Sequence, residues 1–232
     1  MAYNTGPKIV TDGLVLCLDA ADRNSYPGSG NTWYDLSGTG NNGTFGGSTA
    51  PIFNNGNGGS LVFDGVDDRG TFTTPITSTS NQTYEIWTNA VASAIAADGY
   101  AYILHNNSVS STTGGSYMNI GIRPTQQYFA AFNGAHVTMS SGVTASNLNI
   151  VQITLTWDGA TQKMYMNGIS KNSQALTGTP QNFSTTTSFG DDKSTTYRMI
   201  QGNIYSIKIY NRALTPQEIR KNYLATKSRF GL

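Results

Sequence analysis

The sequence predicts an all-β protein, an antiparallel β-sandwich with one short C-terminal helix. Two observations carry that prediction. Apolar and alternating segments of strand length recur roughly every 8–15 residues, separated by turns dense in Gly and Asn. Only one stretch, Gln201–Leu232, contains a well-punctuated helix signal.

Taken in order, residues 1–11 carry no periodicity and read as an extended arm. Leu14–Leu18 is a continuous apolar run, consistent with a strand buried on both faces. The long loop Asp19–Gly59 then leads to a strand at Ser60–Asp64 and a turn over Gly65–Gly70. Further strands are expected at Thr71–Thr74, Gln82–Ala90, Tyr100–His105, Tyr117–Arg123, Gln127–Asn133 and Val137–Ser140. The cleanest pattern is Ile150–Trp157, where Val151, Ile153, Leu155 and Trp157 share one face and Gln152, Thr154 and Thr156 the other. Asp158-Gly159 turns into Gln162–Met166, and Asn167-Gly168 supplies a type I′ hairpin turn into Ile169–Gln174. Near the end, Tyr205, Ile207 and Ile209 alternate with Ser206, Lys208 and Tyr210 as in a half-buried strand.

Thr215-Pro216-Gln217-Glu218 fits a capping box, with Pro at the first helical position, where its missing N–H costs nothing. Leu214 and Ile219 are spaced as a hydrophobic staple. The expected organisation is an arm at 1–11, a sandwich at 12–214, and a helix with a tail at 215–232.

A formal net charge of +1 gives no electrostatic footprint for nucleic acid or an anionic membrane. No apolar run approaches the ~20 residues of a membrane span, and the first residues do not read as a secretory signal. Cys17, alone inside an apolar run, reads as a small buried hydrophobe, and a chain without a disulfide framework suits assembly in a cytoplasm. Gly38–Gly43 matches G-x-G-x-x-G, yet Thr44-Phe45-Gly46-Gly47 cannot open the helix a pyrophosphate needs. His105 and His136, the two histidines, have neither zinc spacing nor a triad context. Glycoside hydrolysis needs two carboxylates flanking the bond. The chain has two glutamates; Glu218 is committed to the cap, and the strand around Glu85 has no second acid. No catalytic residue is assigned, and a non-enzymatic protein is expected.

Five segments carry a family resemblance: Gly13–Ala20 (GLVLCLDA), Trp33–Thr44 (WYDLSGTGNNGT), Phe63–Asp68 (FDGVDD), Leu155–Gly168 (LTWDGATQKMYMNG) and Gly202–Tyr223 (GNIYSIKIYNRALTPQEIRKNY). In order and spacing they resemble the laminin-G-like branch of the concanavalin A-like lectin/glucanase superfamily. That resemblance implies a jelly-roll sandwich, often with bound calcium and sometimes with a sugar site on a loop rim. With its LDA opening, its loop Tyr26–Gly30 (YPGSG) and its ending NYLATKSRFGL, the chain is similar to virion proteins of tailed bacteriophages. One departure stands out: where relatives often carry an aromatic after FDGVDD, this chain has Arg69-Gly70.

Calcium takes six to eight oxygen ligands, and the candidate donors are Asp35, Asn42, Asp64, Asp67 and Asp68, in two loops that the fold would have to unite. A pyranose offers an apolar face and a ring of hydroxyls, so the candidate sugar site is Trp33 and Tyr34 beside Asp35 and Asn41; the competing reading packs Trp33 in the core under its loop. The expected role is a capsid decoration or tail-associated protein of the virion. Its expected partners are other virion proteins, further copies of itself and host-surface glycans. The alternative is a receptor-binding lectin. Attachment is expected through the arm or through Ser228–Leu232, with deletion of residues 1–11 leaving a folded domain.

Overall fold

The alternating segments fold into two stacked sheets whose facing sides form the core. The structure, a computed structural model, describes residues 7–46, 50–76, 81–92, 100–106, 118–132, 139–175, 185–191 and 198–232. In chain order the first strands are β1 (Leu14–Asp19), β2 (Thr32–Trp33), β3 (Gly43–Gly46), β4 (Ile52–Asn54), β5 (Ser60–Asp64) and β6 (Arg69–Thr73). Then come β7 (Gln82–Thr88), β8 (Val91–Ala92), β9 (Ala101–Asn106), β10 (Met118–Ile122), β11 (Gln127–Phe132) and β12 (Met139–Thr144). The last are β13 (Val151–Trp157), β14 (Thr161–Met166), β15 (Ile169–Ala175), β16 (Thr186–Phe189) and β17 (Ile200–Tyr210), before helix α1 (Pro216–Thr226). The expected arm before residue 7, His136, and the strand ends at Tyr117, Asn133 and Val137 lie outside the described residues.

Among the described residues, one sheet has nine strands in the order β15-β14-β13-β7-β17-β5-β4, with β1 and β8 also on β17; the other has eight, β12-β11-β10-β9-β16-β6-β3-β2. The described pairings are antiparallel. Val151, Ile153, Leu155 and Trp157 face the core together, as their alternation requires. The hairpin turn is in place too: Asn167 has φ 53° and Gly168 φ 73°. At one end of the core Phe189 meets Trp33, Phe45, Phe63 and Phe72, with ring centroids 5.9–6.4 Å apart. A Cβ on Gly70 would lie 2.1 Å from the Phe189 ring, so β6 stays bare where that ring packs.

The strand β17 departs from simple alternation. A register shift between Ile204 and Ser206 leaves Ile204, Ile207 and Ile209 in the core, while Tyr205 joins Trp87 and Tyr223 on the opposite face. A bulge of this kind inserts one residue and turns the following side chains over. Nor is the strand half-buried, because α1 covers its outer face.

The helix begins as its sequence dictates. Glu218 N donates to Thr215 Oγ1 (3.3 Å) and Thr215 N to Glu218 Oε2 (2.9 Å). Leu214 and Ile219 pack in one small cluster with Val10, Tyr165 and Tyr210. The helix buries Ile219, Asn222 and Tyr223 against the nine-stranded sheet, one face at the expected spacing. Its tail continues as a 3₁₀ turn, Lys227–Phe230. Trp87 lies between Tyr223 and Phe230, at 5.8 and 4.5 Å, and its indole N–H donates to Thr226.

Candidate functional site

Among the described residues, four gatherings of chemistry-bearing side chains bear on function: under α1, in the loop after β2, in the turn between β5 and β6, and in a groove beside β4.

Under α1, Lys208 Nζ stands 3.1 Å from Glu85 Oε1, both side chains buried. Asn222 Nδ2 donates to Glu85 Oε2 and to the Tyr210 hydroxyl, each at 2.9 Å. The Tyr210 hydroxyl donates to the Val10 carbonyl (3.1 Å), and Val10 N donates to Asn222 Oδ1 (2.8 Å). Burial pulls the Lys208 ammonium down, but the Glu85 carboxylate outweighs it and holds the group above its ordinary range. Burial pushes the Cys17 thiol up to about 11, so it stays protonated at neutral pH, as suits a buried hydrophobe. Glu85 therefore has a buried partner in the sheet. Glu218 is likewise engaged, in a bidentate pair with Arg212 (2.6 and 2.9 Å) as well as the cap.

The loop after β2 holds the sugar candidates, and the structure corrects one of them, Trp33. Trp33 is fully buried against Phe189, so its ring offers no face to a ligand. Asp35 accepts from Cys17 N, Ser37 N, Ser37 Oγ, Thr39 Oγ1 and Asn41 N, at 2.8–3.1 Å. Burial opposes its charge, but the Ser37 and Cys17 amides and the two hydroxyls outweigh that and hold the carboxyl below its usual range. Asn41 Nδ2 donates to Val15 O and Thr39 Oγ1, and Asn42 Oδ1 accepts from Asp35 N. Asx turns of this sort organise a loop. Of the four sugar candidates, Tyr34 alone keeps a large exposed ring, at 46%.

Calcium fares differently in its two halves. Asp35 and Asn42 belong to the loop just described, whereas Asp64, Asp67 and Asp68 bring carboxylate oxygens within 4.8 Å of one another. The five candidates thus do not form one site. Asp68 Oδ2 accepts from Asp64 N (2.8 Å), and Asp64 Oδ1 from Val66 N (2.7 Å). Burial raises the Asp68 carboxyl to about 6, against the Asp64 amide, with the Asp64 and Asp67 charges adding to the rise. Three carboxylates this close, one of them buried with like charges, suit a hard cation with oxygen ligands. The residues fit calcium.

Sequence reasoning did not single out the groove beside β4. It is open, with a volume of about 730 Å³, and runs between the loop Tyr26–Gly30 and β4. Phe53, Ile52 and Val62 give it an apolar wall; Arg23, Ser29, Asn54 and Asn55 give it polar groups. The signal in the sequence was the loop itself, two glycines flanking Ser29 after a proline.

A laminin-G-type family model described as the concanavalin A-like lectin/glucanases superfamily matches residues 63–220. The chain belongs to this superfamily. Comparison with curated proteins returns no match. Among solved structures, this superfamily member is similar to the binding domain of Paraclostridial Mosquitocidal Protein 1, with TM-score 0.69 and 15% identity over 92% of this chain and 52% of that one. It is also similar to Trypanosoma rangeli sialidase in complex with sialic acid, with TM-score 0.70 and 15% identity over 97% of this chain and 36% of that one. The chain spans about half of the first protein and about a third of the second. At such identities the likeness shows the fold.

Proposed function

We propose that the chain is a non-enzymatic structural protein of a tailed-bacteriophage virion, a capsid-decoration or tail-associated module that also adheres to host-surface glycans. The observation that carries the reading is how the polar side chains are used. Both glutamates are spent on bonds within the chain, whereas the groove beside β4 presents polar groups around an apolar wall, the complement of a sugar. Membership of a lectin-type superfamily supports the adhesive half, although fold alone does not fix function.

The virion half rests on the phage-like segments, which the fold brings together. Arg229 of the ending donates to Asp19 of the LDA opening (2.7 Å) and to the carbonyls of Asn57 and Gly59. Asp19 N in turn donates to Ser25 Oγ, at the start of the YPGSG loop. Copies on a particle would let weak single sites act through avidity. Asp64, Asp67 and Asp68 would hold calcium, which there would neutralise three like charges and stiffen the β5–β6 turn.

Two measurements test the reading: mapping the protein's position in intact particles, and titrating the isolated chain against host polysaccharide. Saturable glycan binding together with particle occupancy is the expected result. Binding without occupancy would favour the receptor-binding lectin, and release of reducing ends would overturn the non-enzymatic assignment.

A further inference from the structure

We propose that the groove beside β4 is a site for acidic saccharides, with Arg23 reading the sugar carboxylate. This rests on the glycan-binding reading above and names the ligand class of that groove. Arg23 is exposed, yet held in place. Its Nη1 donates to Pro27 O at 2.9 Å, and its guanidinium lies over the Phe53 ring, 4.7 Å from the centroid. The loop leaves room for it by having no side chain at Gly28, where an added Cβ would fall 2.2 Å from Nη1 and φ is +105°. Phe53 is fixed from behind by Tyr26, 5.7 Å away, whose hydroxyl closes the loop on Gly30 O.

A guanidinium has five N–H donors in a planar fork matched to a carboxylate. Arg23 spends one of them on Pro27, and among the described residues no carboxylate pairs with it. Other donors beside it are also unspent. Asn54 uses its carbonyl oxygen on Gly56 N and keeps its NH₂, and among the described residues the side chains of Asn55 and Ser29 make no hydrogen bond. A fixed cation, amides and a hydroxyl for sugar hydroxyls, and an apolar wall for a ring face together describe an acidic sugar. A purely neutral glycan would leave the guanidinium unanswered. The volume, about 730 Å³, accommodates a short oligosaccharide within the ~300–1,000 Å³ range of ligand clefts.

The experiment is an array carrying uronic-acid and sialic-acid oligosaccharides beside their methyl esters and neutral counterparts, followed by titration of the best acidic hit. The full chain, Arg23→Met and Asn55→Asp are compared. The acid should bind at least tenfold more tightly than its ester at low salt. Arg23→Met should erase that preference, and Asn55→Asp, which sets a negative charge beside the sugar carboxylate, should weaken the acid about tenfold more than it weakens the ester. Thermal midpoints within a few degrees of the parent confirm folded variants, and Asn55→Asp leaves the Arg23 contacts in place if Arg23→Met unfolds. Neutral glycans bound as tightly as acids, with both variants silent, would overturn the acidic assignment and leave the glycan reading standing. No saturable binding to either class would overturn both.

Discussion

Two regions of the nine-stranded sheet, the face under α1 and the β4 edge, treat polarity in opposite ways. Beneath α1, Glu85, Lys208, Asn222 and Tyr210 are buried and answered by one another, so their chemistry is spent on position. At the β4 edge, Arg23, Asn54 and Asn55 are exposed, and donors remain after the chain's own needs are met. Substitutions under the helix should therefore change stability and spare ligand binding, and substitutions at the edge should do the reverse.

The strongest way to break the contrast is Glu85→Gln. Removing one partner of a buried pair leaves Lys208 uncompensated and should cost about 3–5 kcal/mol in urea unfolding. Glu85→Leu with Lys208→Met should recover most of that loss, because a buried pair replaced by apolar groups is often neutral. A double variant as unstable as the single one would show that the network adds more than its charges.

Next in size is deletion of residues 1–11. The domain is expected to stay folded without them, at a cost that the contacts of Val10 set. Val10 is buried in the α1 cluster, and both of its backbone groups are bonded, to Asn222 and Tyr210. Losing the side chain and orphaning Asn222 should cost about 2–4 kcal/mol. Deleting only residues 1–6 spares Val10 and so separates virion attachment from that loss of stability.

The turn between β5 and β6 stands between the two, with Asp64 exposed and Asp68 buried. Millimolar calcium should raise the thermal midpoint, by about 2.7 kcal/mol of stability at a concentration 100 times the dissociation constant. Asp68→Asn should abolish that response, and Asp35→Asn should not, because Asp35 is spent on its own loop. A response that survives Asp68→Asn would move the ion elsewhere.

What could be read from the sequence follows the range of the forces involved. The capping box, the staple and the Asn167-Gly168 turn are set by neighbours a few residues apart, and each formed as written. The alternation of β13 was legible for the same reason. Trp33 was legible only as a choice between core and sugar site, because its burial depends on Phe189, a residue 156 positions later. Tyr205 changed faces through a bulge that period-2 reasoning cannot see. The Arg23 groove escaped notice because β4 is only three residues long and Phe53 lies far along the loop from Arg23.

The smallest effect expected lies at the helix start, which joins the two regimes by being exposed but answered. Thr215→Ala should cost about 1 kcal/mol, the usual value of a lost cap. Glu218 adds a pH signature. Its bond with Arg212 holds the carboxyl well down, at about 2 against an ordinary 4.5, against a smaller burial effect and with help from Thr215. A carboxyl depressed in the folded state contributes stability that is fully present above its unfolded value and is lost as pH falls through the folded one. The window is therefore about 4.5 down to 2, and nothing should change between pH 6 and 8 from this group. Urea midpoints at pH 6, 4 and 2.5 should fall more steeply for the parent than for Glu218→Gln, whose amide cannot titrate. Equal slopes would mean that solvent screens the Arg212 pair, leaving the cap hydrogen bonds alone to start the helix.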